Sequence, residues 1–127
     1  MKIAIGTDDK KTIRRAHFGE SKYYLVYEIL NGEIISKEFR ENPHVCTGEH
    51  AHGQAKKIMD LLPDCHLIIG RSMGKKSMDQ IAKKNIDVIV TKLKNIEKTI
   101  QLYLDSNDEY FKYYDDETGK FCNCADR

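Results

Sequence analysis

The sequence contains no long apolar run. No stretch approaches the ~20 apolar residues that a membrane-spanning helix requires, so we expect no contact with a membrane. The opening segment is interrupted at Gly6 and continues into Asp8 and Asp9, too early to form the apolar centre of a signal peptide. These absences predict a cytoplasmic location.

An excess of charge of one sign is absent as well. The 21 Lys and Arg residues nearly balance the 20 Asp and Glu residues, which leaves a formal net charge of +1. Because no bulk positive field would attract DNA or RNA, we expect no nucleic-acid partner. Hydrophobic residues make up 40% and charged residues 32% of the 127 residues, a composition and length that predict one soluble domain.

Cysteine is scarce, at four residues. In a reducing compartment their side chains should be thiols that serve as packing residues, redox groups or metal ligands rather than disulfides. Cys65 precedes a wholly apolar run and is predicted to be a small core hydrophobe, and its neighbour His66 to be structural.

Short β-rich and apolar runs predict five strands. The clearest signal is a hairpin of strands 23–30 and 33–39, because the intervening Asn31-Gly32 tolerates the positive φ of a tight turn. Wholly apolar runs are typical of strands that are buried on both faces. The remaining predicted strands are 2–6, 67–70 and 86–90.

Apolar residues at helical spacing predict three helices. The first begins at Ala55, the second runs from Met73 to Lys84, and the third follows Asn95, which can cap it. The element order β-β-β-α-β-α-β-α predicts an α/β fold with a mixed sheet and helices on its faces. We expect residues 1–105 to form this domain. Residues 106–127 are predicted to be an aromatic, cysteine-containing C-terminal tail that docks in part.

The segment 42–53 is rich in metal-binding side chains, with His44, Cys46, His50 and His52 within nine positions. Thiolate and imidazole together suit zinc, iron or an iron-sulfur centre better than magnesium or calcium. The spacing is unlike that of a zinc finger. The alternative is a polar loop that happens to be rich in histidine.

A second pair of soft donors lies near the C-terminus, where Cys122 and Cys124 are separated by one residue. Two thiols at this spacing could join a metal site. The alternative is a redox-sensitive surface pair without a function.

The segment Gly70 to Ser77 joins a predicted strand to a predicted helix and carries Arg71, Lys75 and Lys76. Backbone N–H groups at a helix start favour an anion, so we expect an anionic ligand group here. The spacing is not that of a Walker A loop. Solvated charge at the start of a helix is the alternative.

Asp8 and Asp9 follow the first strand, a position at which ribonuclease H-type nucleases hold a metal-binding carboxylate. The other carboxylates fall mainly on predicted helix surfaces and strand starts. A converging cluster is therefore not predicted, and a divalent-metal nuclease is the less favoured alternative.

The chain resembles the dinitrogenase iron-molybdenum cofactor biosynthesis family, which includes NifX-like proteins and domains fused behind NifB. The resemblance covers roughly residues 1–105. It is carried by Met1 to Ile5, by His17-Phe18-Gly19 leading into Tyr23 to Tyr27, by the Asn-Gly hairpin, and by Gly70 to Gly74 before a helix.

The resemblance implies a ribonuclease H-like topology with a mixed five-stranded sheet, and a protein that carries an iron-sulfur-containing cofactor precursor without catalysing a reaction. It also implies His17 as a ligand-site residue. The candidate cofactor-binding residues are His17, Phe18, Gly19, Gly70, Met73, Gly74 and Lys75, and the candidate metal ligands are His17, His44, Cys46, His50, His52, Cys122 and Cys124.

These observations lead to a carrier hypothesis. The expected cargo is an iron-sulfur cluster or an iron-containing cofactor precursor, with zinc as the alternative metal. The expected partners are a protein donor or acceptor of that cofactor, and the chain should be a monomer or a small homo-oligomer. A partner-binding or regulatory module is the main non-enzyme alternative.

Overall fold

The protein folds around one mixed β-sheet. The computed structural model describes residues 1–15, 18–43 and 59–123. Seven strands form the sheet in the order β3-β2-β1-β4-β5-β6-β7. Their bounds are β1 Lys2–Thr7, β2 Tyr23–Leu30, β3 Glu33–Glu41, β4 Leu67–Gly70, β5 Asp87–Thr91, β6 Phe111–Asp115 and β7 Lys120–Asn123.

The predicted hairpin is confirmed. Strands β2 and β3 pair antiparallel with Leu30 opposite Glu33. Asn31 and Gly32 both have positive φ, 53° and 77°, which is the conformation that a two-residue turn between twisted strands requires. The strand β3 lies at the edge of the sheet and is exposed along almost its whole length.

The centre of the sheet is parallel. Strand β1 pairs with β4, and β4 pairs with β5, in parallel, so the carboxyl ends of all three reach the same edge. Helices α1 Lys75–Ala82 and α2 Ile96–Leu104 connect to this core. Residues 59–61 are also helical, and the start of the helix predicted from Ala55 lies outside the described residues. The predicted cap of α2 is confirmed, because the Asn95 side chain accepts the Lys98 N–H at 2.8 Å.

Each face of the sheet packs against one of these helices. Alternate residues of the strands point to opposite faces, so neighbours such as Ile68 and Ile69 belong to different cores. The α1 side contains Val26, Ile68, Val88, Met78 and Ile81. The α2 side contains Leu25, Ile69, Ile89, Ile96 and Ile100.

The predicted number of strands was wrong: the described residues form a sheet of seven strands, not five. Both extra strands, β6 and β7, come from residues that were predicted to be a tail. Phe111 packs into the α2-side core and Tyr114 into the α1-side core, and both are 2% exposed. Residues three apart on a strand face opposite sides, so β6 lacks the alternation that would have revealed a half-buried strand.

A hydrogen bond and a ring contact attach β6 to the two helices. The Tyr114 hydroxyl donates to the carboxylate of Asp79 on α1, and the ring of Phe111 meets Tyr103 of α2 edge-on at 5.6 Å. The division of the chain at residue 105 stays a prediction, as does the ribonuclease H-like topology. Within the described ranges, no helix combines the length and apolar character needed to span a membrane.

Candidate functional site

The carboxyl ends of the three parallel strands form the candidate site. These ends are Thr7 on β1, Gly70 on β4 and Thr91 on β5. In open α/β sheets, ligands bind where the loops beyond such ends converge. The turn that follows β1 and the turn that follows β4 both contribute candidate residues here.

Phe18 links these two turns. It begins a short 3-10 turn, Phe18–Glu20, and is 3% exposed. A Cβ atom built on Gly6 of β1 would lie 3.1 Å from Phe18 Cδ2, and one built on Gly70 of β4 would lie 3.6 Å from the same atom. The Phe18 ring therefore lies over the ends of both strands.

The turn around Phe18 is held by converging hydrogen bonds. The Phe18 carbonyl accepts the hydroxyl of Ser21 at 2.7 Å and the hydroxyl of Tyr24 at 2.9 Å. The Asn42 side chain donates to the carbonyls of Gly19 and Ser21 at 3.1 and 2.9 Å. These buried polar partners fix the backbone on the C-terminal side of His17.

Burial also sets the state of the Tyr24 hydroxyl. Removal from solvent raises the pKa of Tyr24 above its ordinary value, because the phenolate would lose its hydration. The group is therefore a neutral hydrogen-bond donor to Phe18, which assigns it a supporting role in the turn.

The residues of segment 70–77 lie near two different parts of the structure. Met73 lies at the Phe18 side, since its Cε would be 3.7 Å from a Cβ on Gly70. Lys75 extends toward the β6–β7 turn, where its Nζ would be 3.1 Å from a Cβ on Gly119. Gly74 is the exposed N-cap of α1 and has no side-chain cap. Binding of an anion by this segment stays a prediction.

Asp9 is engaged within its own loop. Its carboxylate accepts the backbone N–H groups of Thr12 at 2.7 Å and Lys11 at 2.9 Å, and the Thr12 hydroxyl at 2.8 Å. These hydrogen bonds hold the pKa of Asp9 well below its ordinary value. Asp9 therefore caps a turn of the chain.

Asp8 is also occupied by protein groups. It forms an ion pair with Arg14 and accepts the Lys22 N–H at 3.0 Å. Among residues 1–15, 18–43 and 59–123, no three His, Cys, Asp or Glu side chains converge in a way that could hold a metal ion. The nuclease alternative is therefore not favoured.

Most predicted metal ligands fall beyond the described part of the chain: His17, His44, Cys46, His50, His52 and Cys124. Cys122 is described and lies partly buried on β7, with its Sγ 3.6 Å from the Tyr113 carbonyl oxygen. Its membership of a metal site, like that of the other candidates, stays a prediction.

The prediction for Cys65 is confirmed. Its side chain is 4% exposed within the α1-side core, and burial raises the pKa of the thiol to about 11. Its neighbour His66 is exposed, and its Nδ1 accepts the Lys2 N–H at 3.2 Å. His66 directly precedes β4 and Gly70 ends it, so the two residues lie at opposite ends of this strand.

Sequence reasoning missed the residues that support the site: Ser21, Tyr24 and Asn42. Ser21 is fully buried, and a Cβ on Gly6 would lie only 2.2 Å from its Oγ. Glycine is thus required at position 6 by the close approach of the turn. No local pattern predicts the role of Asn42, because its partners are more than 20 positions away in the sequence.

Comparison with known proteins identifies the family. Residues 1–106 match the family described as "Dinitrogenase iron-molybdenum cofactor". The chain belongs to this family. The predicted resemblance is thereby confirmed, and the match ends before β6 begins.

Individual relatives agree with this assignment. An uncharacterized protein of Methanocaldococcus jannaschii is 30% identical over 112 residues, which cover 88% of this chain and 92% of the relative. A crystal structure from the same organism, provisionally named a dinitrogenase, is 24% identical, with a TM-score of 0.63 over 84% of this chain and 89% of that one.

A third relative has the same fold at lower identity. The apo form of the orange protein from Desulfovibrio gigas is 17% identical, with a TM-score of 0.68 over 83% of this chain and 88% of that protein. At such identities the two solved structures establish the fold, and the family match points to the biosynthesis of an iron-molybdenum cofactor.

Proposed function

We propose that this protein is a non-catalytic carrier of an iron-containing cofactor precursor, received from one protein and delivered to another. The observation that carries the proposal is the meeting of Phe18, Gly70 and Met73 at the carboxyl edge of the parallel strands. These are candidate residues from two distant segments of the chain. Membership of the cofactor family supports the same function.

The proposed ligands are imidazole and thiol groups. His17 immediately precedes Phe18 in the sequence, and the segment 44–52 supplies three further histidines and a cysteine. A mixed set of soft and borderline donors suits iron, whereas Mg²⁺ prefers oxygen ligands. Binding through a single thiolate would be exchangeable, which a carrier needs in order to release its cargo.

Two features favour a carrier over an enzyme. The carboxylates of Asp8 and Asp9 are already held by Arg14 and by the loop 9–12. The thiol of Cys65 is buried, and its raised pKa keeps it neutral at physiological pH. Neither feature supplies the activated nucleophile or metal-binding carboxylates that hydrolysis would require.

A partner-binding module is the second candidate, and the edge strand β3 favours it. Ile34, Ile35 and Phe39 are 41%, 53% and 42% exposed along this strand. Exposed apolar groups on an edge strand are typical of surfaces that meet another protein. A carrier also needs such a surface for its donor or acceptor.

The test is reconstitution under anaerobic conditions with iron and sulfide, followed by measurement of bound iron and acid-labile sulfide. We expect His17→Ala and Cys46→Ala each to lower loading by more than the 10 to 100-fold that loss of an outer-shell partner typically costs. The matched controls are His66→Ala, at the opposite sheet edge, and Cys65→Ala, which should lower stability and leave loading intact.

A double variant tests the C-terminal thiols. Cys122→Ala combined with Cys124→Ala should have an intermediate effect on loading if the two thiols complete the site. Undiminished loading in both His17→Ala and Cys46→Ala would contradict the carrier function and leave the partner-binding module as the better account.

A further inference from the structure

At the β5 side of the same carboxyl edge, where Phe18 does not contribute to the lining, a concave site lies between the ends of β5 and β6. It is a cavity of about 510 Å³, a size within the range of small-molecule binding sites. Its walls come from the residue after β4, from the end of β5 and the loop that follows, and from the start of β6. Its chemistry is set by Arg71, Lys92, Leu93, Glu109, Tyr110 and Lys112.

Arg71 contributes an unsatisfied donor. Its Nε is buried and has no hydrogen-bond acceptor among the described residues. A buried N–H without an acceptor is unfavourable, and native proteins rarely retain one without a reason. The planar guanidinium fork matches the two oxygens of a carboxylate or the oxygens of a phosphate. The missing acceptor is therefore best supplied by an oxyanion.

The charge around the cavity has the same sign as Arg71. Lys92 and Lys112 both line the cavity and are exposed, whereas Glu109 is the one carboxylate among the described residues of the lining. Three cations against one anion create a local positive potential in a protein whose overall charges nearly balance. The cavity thus attracts an anion, although the molecule as a whole does not.

The remaining wall is apolar and held in place. Leu93 and Tyr110 provide aliphatic and aromatic surface. The Thr91 hydroxyl donates to the Tyr110 carbonyl at 2.7 Å and accepts the Leu93 N–H at 3.2 Å. These bonds tie the loop after β5 to the turn before β6, so the cavity has a fixed shape. Its occupant should carry an apolar body as well as a charge.

We propose that this cavity binds a small organic molecule that carries a carboxylate or a phosphate on an apolar body. The wall from Glu109 to Lys112 lies beyond residues 1–106, which are the part of the chain that matches the family. Binding here needs no metal, so the outcome is independent of cofactor loading at the Phe18 edge.

Titration of the ¹⁵N-labelled full chain, followed by amide NMR, tests the proposal with four probes. Phenyl phosphate and 3-phenylpropanoate carry both features, inorganic phosphate lacks the apolar body, and benzyl alcohol lacks the charge. We expect saturable shifts at residues 90–93 and 109–112 with one of the first two probes, at a Kd of about 1 mM or tighter. The preferred probe distinguishes phosphate from carboxylate.

Variants connect the shifts to the cavity. Arg71→Gln should weaken binding by about 10 to 100-fold, as expected for the loss of a charge-assisted hydrogen bond. Lys92→Gln with Lys112→Gln should weaken it by roughly 2 to 10-fold, more at low salt. The matched control is Lys83→Gln with Lys84→Gln, which removes the same charge from the exposed end of α1.

Specific results would overturn the proposal. These are the absence of saturable shifts with both aromatic anions up to about 10 mM, equally tight binding of inorganic phosphate or benzyl alcohol, or equal weakening in the control pair. The lysine pair keeps the test decisive if Arg71→Gln does not give a folded spectrum, because both lysines are exposed.

Discussion

The Tyr24 hydroxyl donates a hydrogen bond of 2.9 Å to the carbonyl of Phe18, and the two rings lie 5.1 Å apart. This pair attaches the turn after β1 to the neighbouring strand β2. Because Phe18 covers the ends of β1 and β4, the position of the whole candidate site depends on this contact.

We expect Tyr24→Phe to lower the free energy of unfolding by about 1 kcal/mol, the typical net value of one hydrogen bond. The ring remains and the core stays packed, so the loss should be local. Urea denaturation measures the stability, and amide exchange of Ser21, whose N–H donates to the Phe18 carbonyl at 3.2 Å, reports the loosening of the turn.

Tyr23→Phe is the control, since the contact of Tyr23 is with Lys10, whose Nζ lies 4.5 Å from the ring centroid. This substitution removes a hydroxyl from the adjacent position of the same strand. Equal effects of Tyr23→Phe and Tyr24→Phe on Ser21 exchange would contradict the role assigned to the Tyr24 hydroxyl.

Substitution by alanine should change stability differently at Gly6 and Gly70, the two glycines beneath Phe18. A Cβ at Gly6 would lie 2.2 Å from Ser21 Oγ, whereas the nearest atoms to a Cβ at Gly70 are at 3.6 and 3.7 Å. We expect Gly6→Ala to cost about 1–3 kcal/mol through overpacking, and Gly70→Ala to change stability by less than about 1 kcal/mol.

Thermal denaturation of both glycine variants tests this difference. If the lack of a side chain at Gly70 also leaves room for the cofactor, Gly70→Ala should lower iron loading while the protein stays folded. A Gly70→Ala protein as unstable as Gly6→Ala would show that the space above β4 is needed by the fold itself.

The bond between Tyr114 and Asp79 predicts a loss of stability at alkaline pH. This hydrogen bond and burial raise the pKa of Tyr114 to about 12, above the ordinary value of about 10. Between these values the unfolded chain releases a proton that the folded chain retains. The contribution of this hydrogen bond to the stability of the folded protein is therefore complete below pH ~10 and declines as the pH rises to ~12.

Tyr114→Phe should be less stable than the parent by about 1–2 kcal/mol at pH 8, and should lose less stability between pH 10 and 12. Denaturant titrations at several pH values measure both effects. Tyr110→Phe is the control, because Tyr110 is 43% exposed. A pH dependence that is unchanged in Tyr114→Phe would contradict the assignment.

The hydrogen bonds of the Asp64 carboxylate predict that the protein loses stability at acid pH. Its carboxylate accepts hydrogen bonds from Arg40 at 2.7 and 2.8 Å and from Lys2 at 2.8 Å. The Arg40 guanidinium, as the main cause, holds the pKa of Asp64 well below its ordinary value. Stability from this group is therefore present above pH ~4 and is lost as the pH falls below that value.

We expect Asp64→Asn to lower stability at pH 7 by at most about 1 kcal/mol, since exposed ion pairs are screened by solvent. The variant should also lose less stability than the parent between pH 4 and 2. Chemical denaturation at each pH measures this, with the exposed Asp60→Asn as control. Equal acid sensitivity of Asp64→Asn and the parent would argue against the Arg40 contact.

Local signals made the central part of the fold predictable. Asn31-Gly32 specified the hairpin, and Asn95 specified the start of α2, because each acts through neighbouring backbone groups. Strand β6 was missed, and with it β7, which pairs with β6, since Phe111 and Tyr114 are buried on opposite faces and leave β6 without an alternating pattern. Asn42 supports the site across the fold, and its partners Gly19 and Ser21 are too distant in the sequence to form a local pattern.

The place of β6 in the sheet has a consequence for synthesis of the protein on the ribosome. Phe111 and Tyr114 fill both cores beside β5, yet they emerge only after α1 and α2 have been made. Until then the chain exposes apolar surface on the outer side of β5, together with an unpaired strand edge that invites association with other nascent chains. A chain that is truncated near residue 105 should therefore expose this surface and this strand edge permanently, and should associate more readily than the full chain.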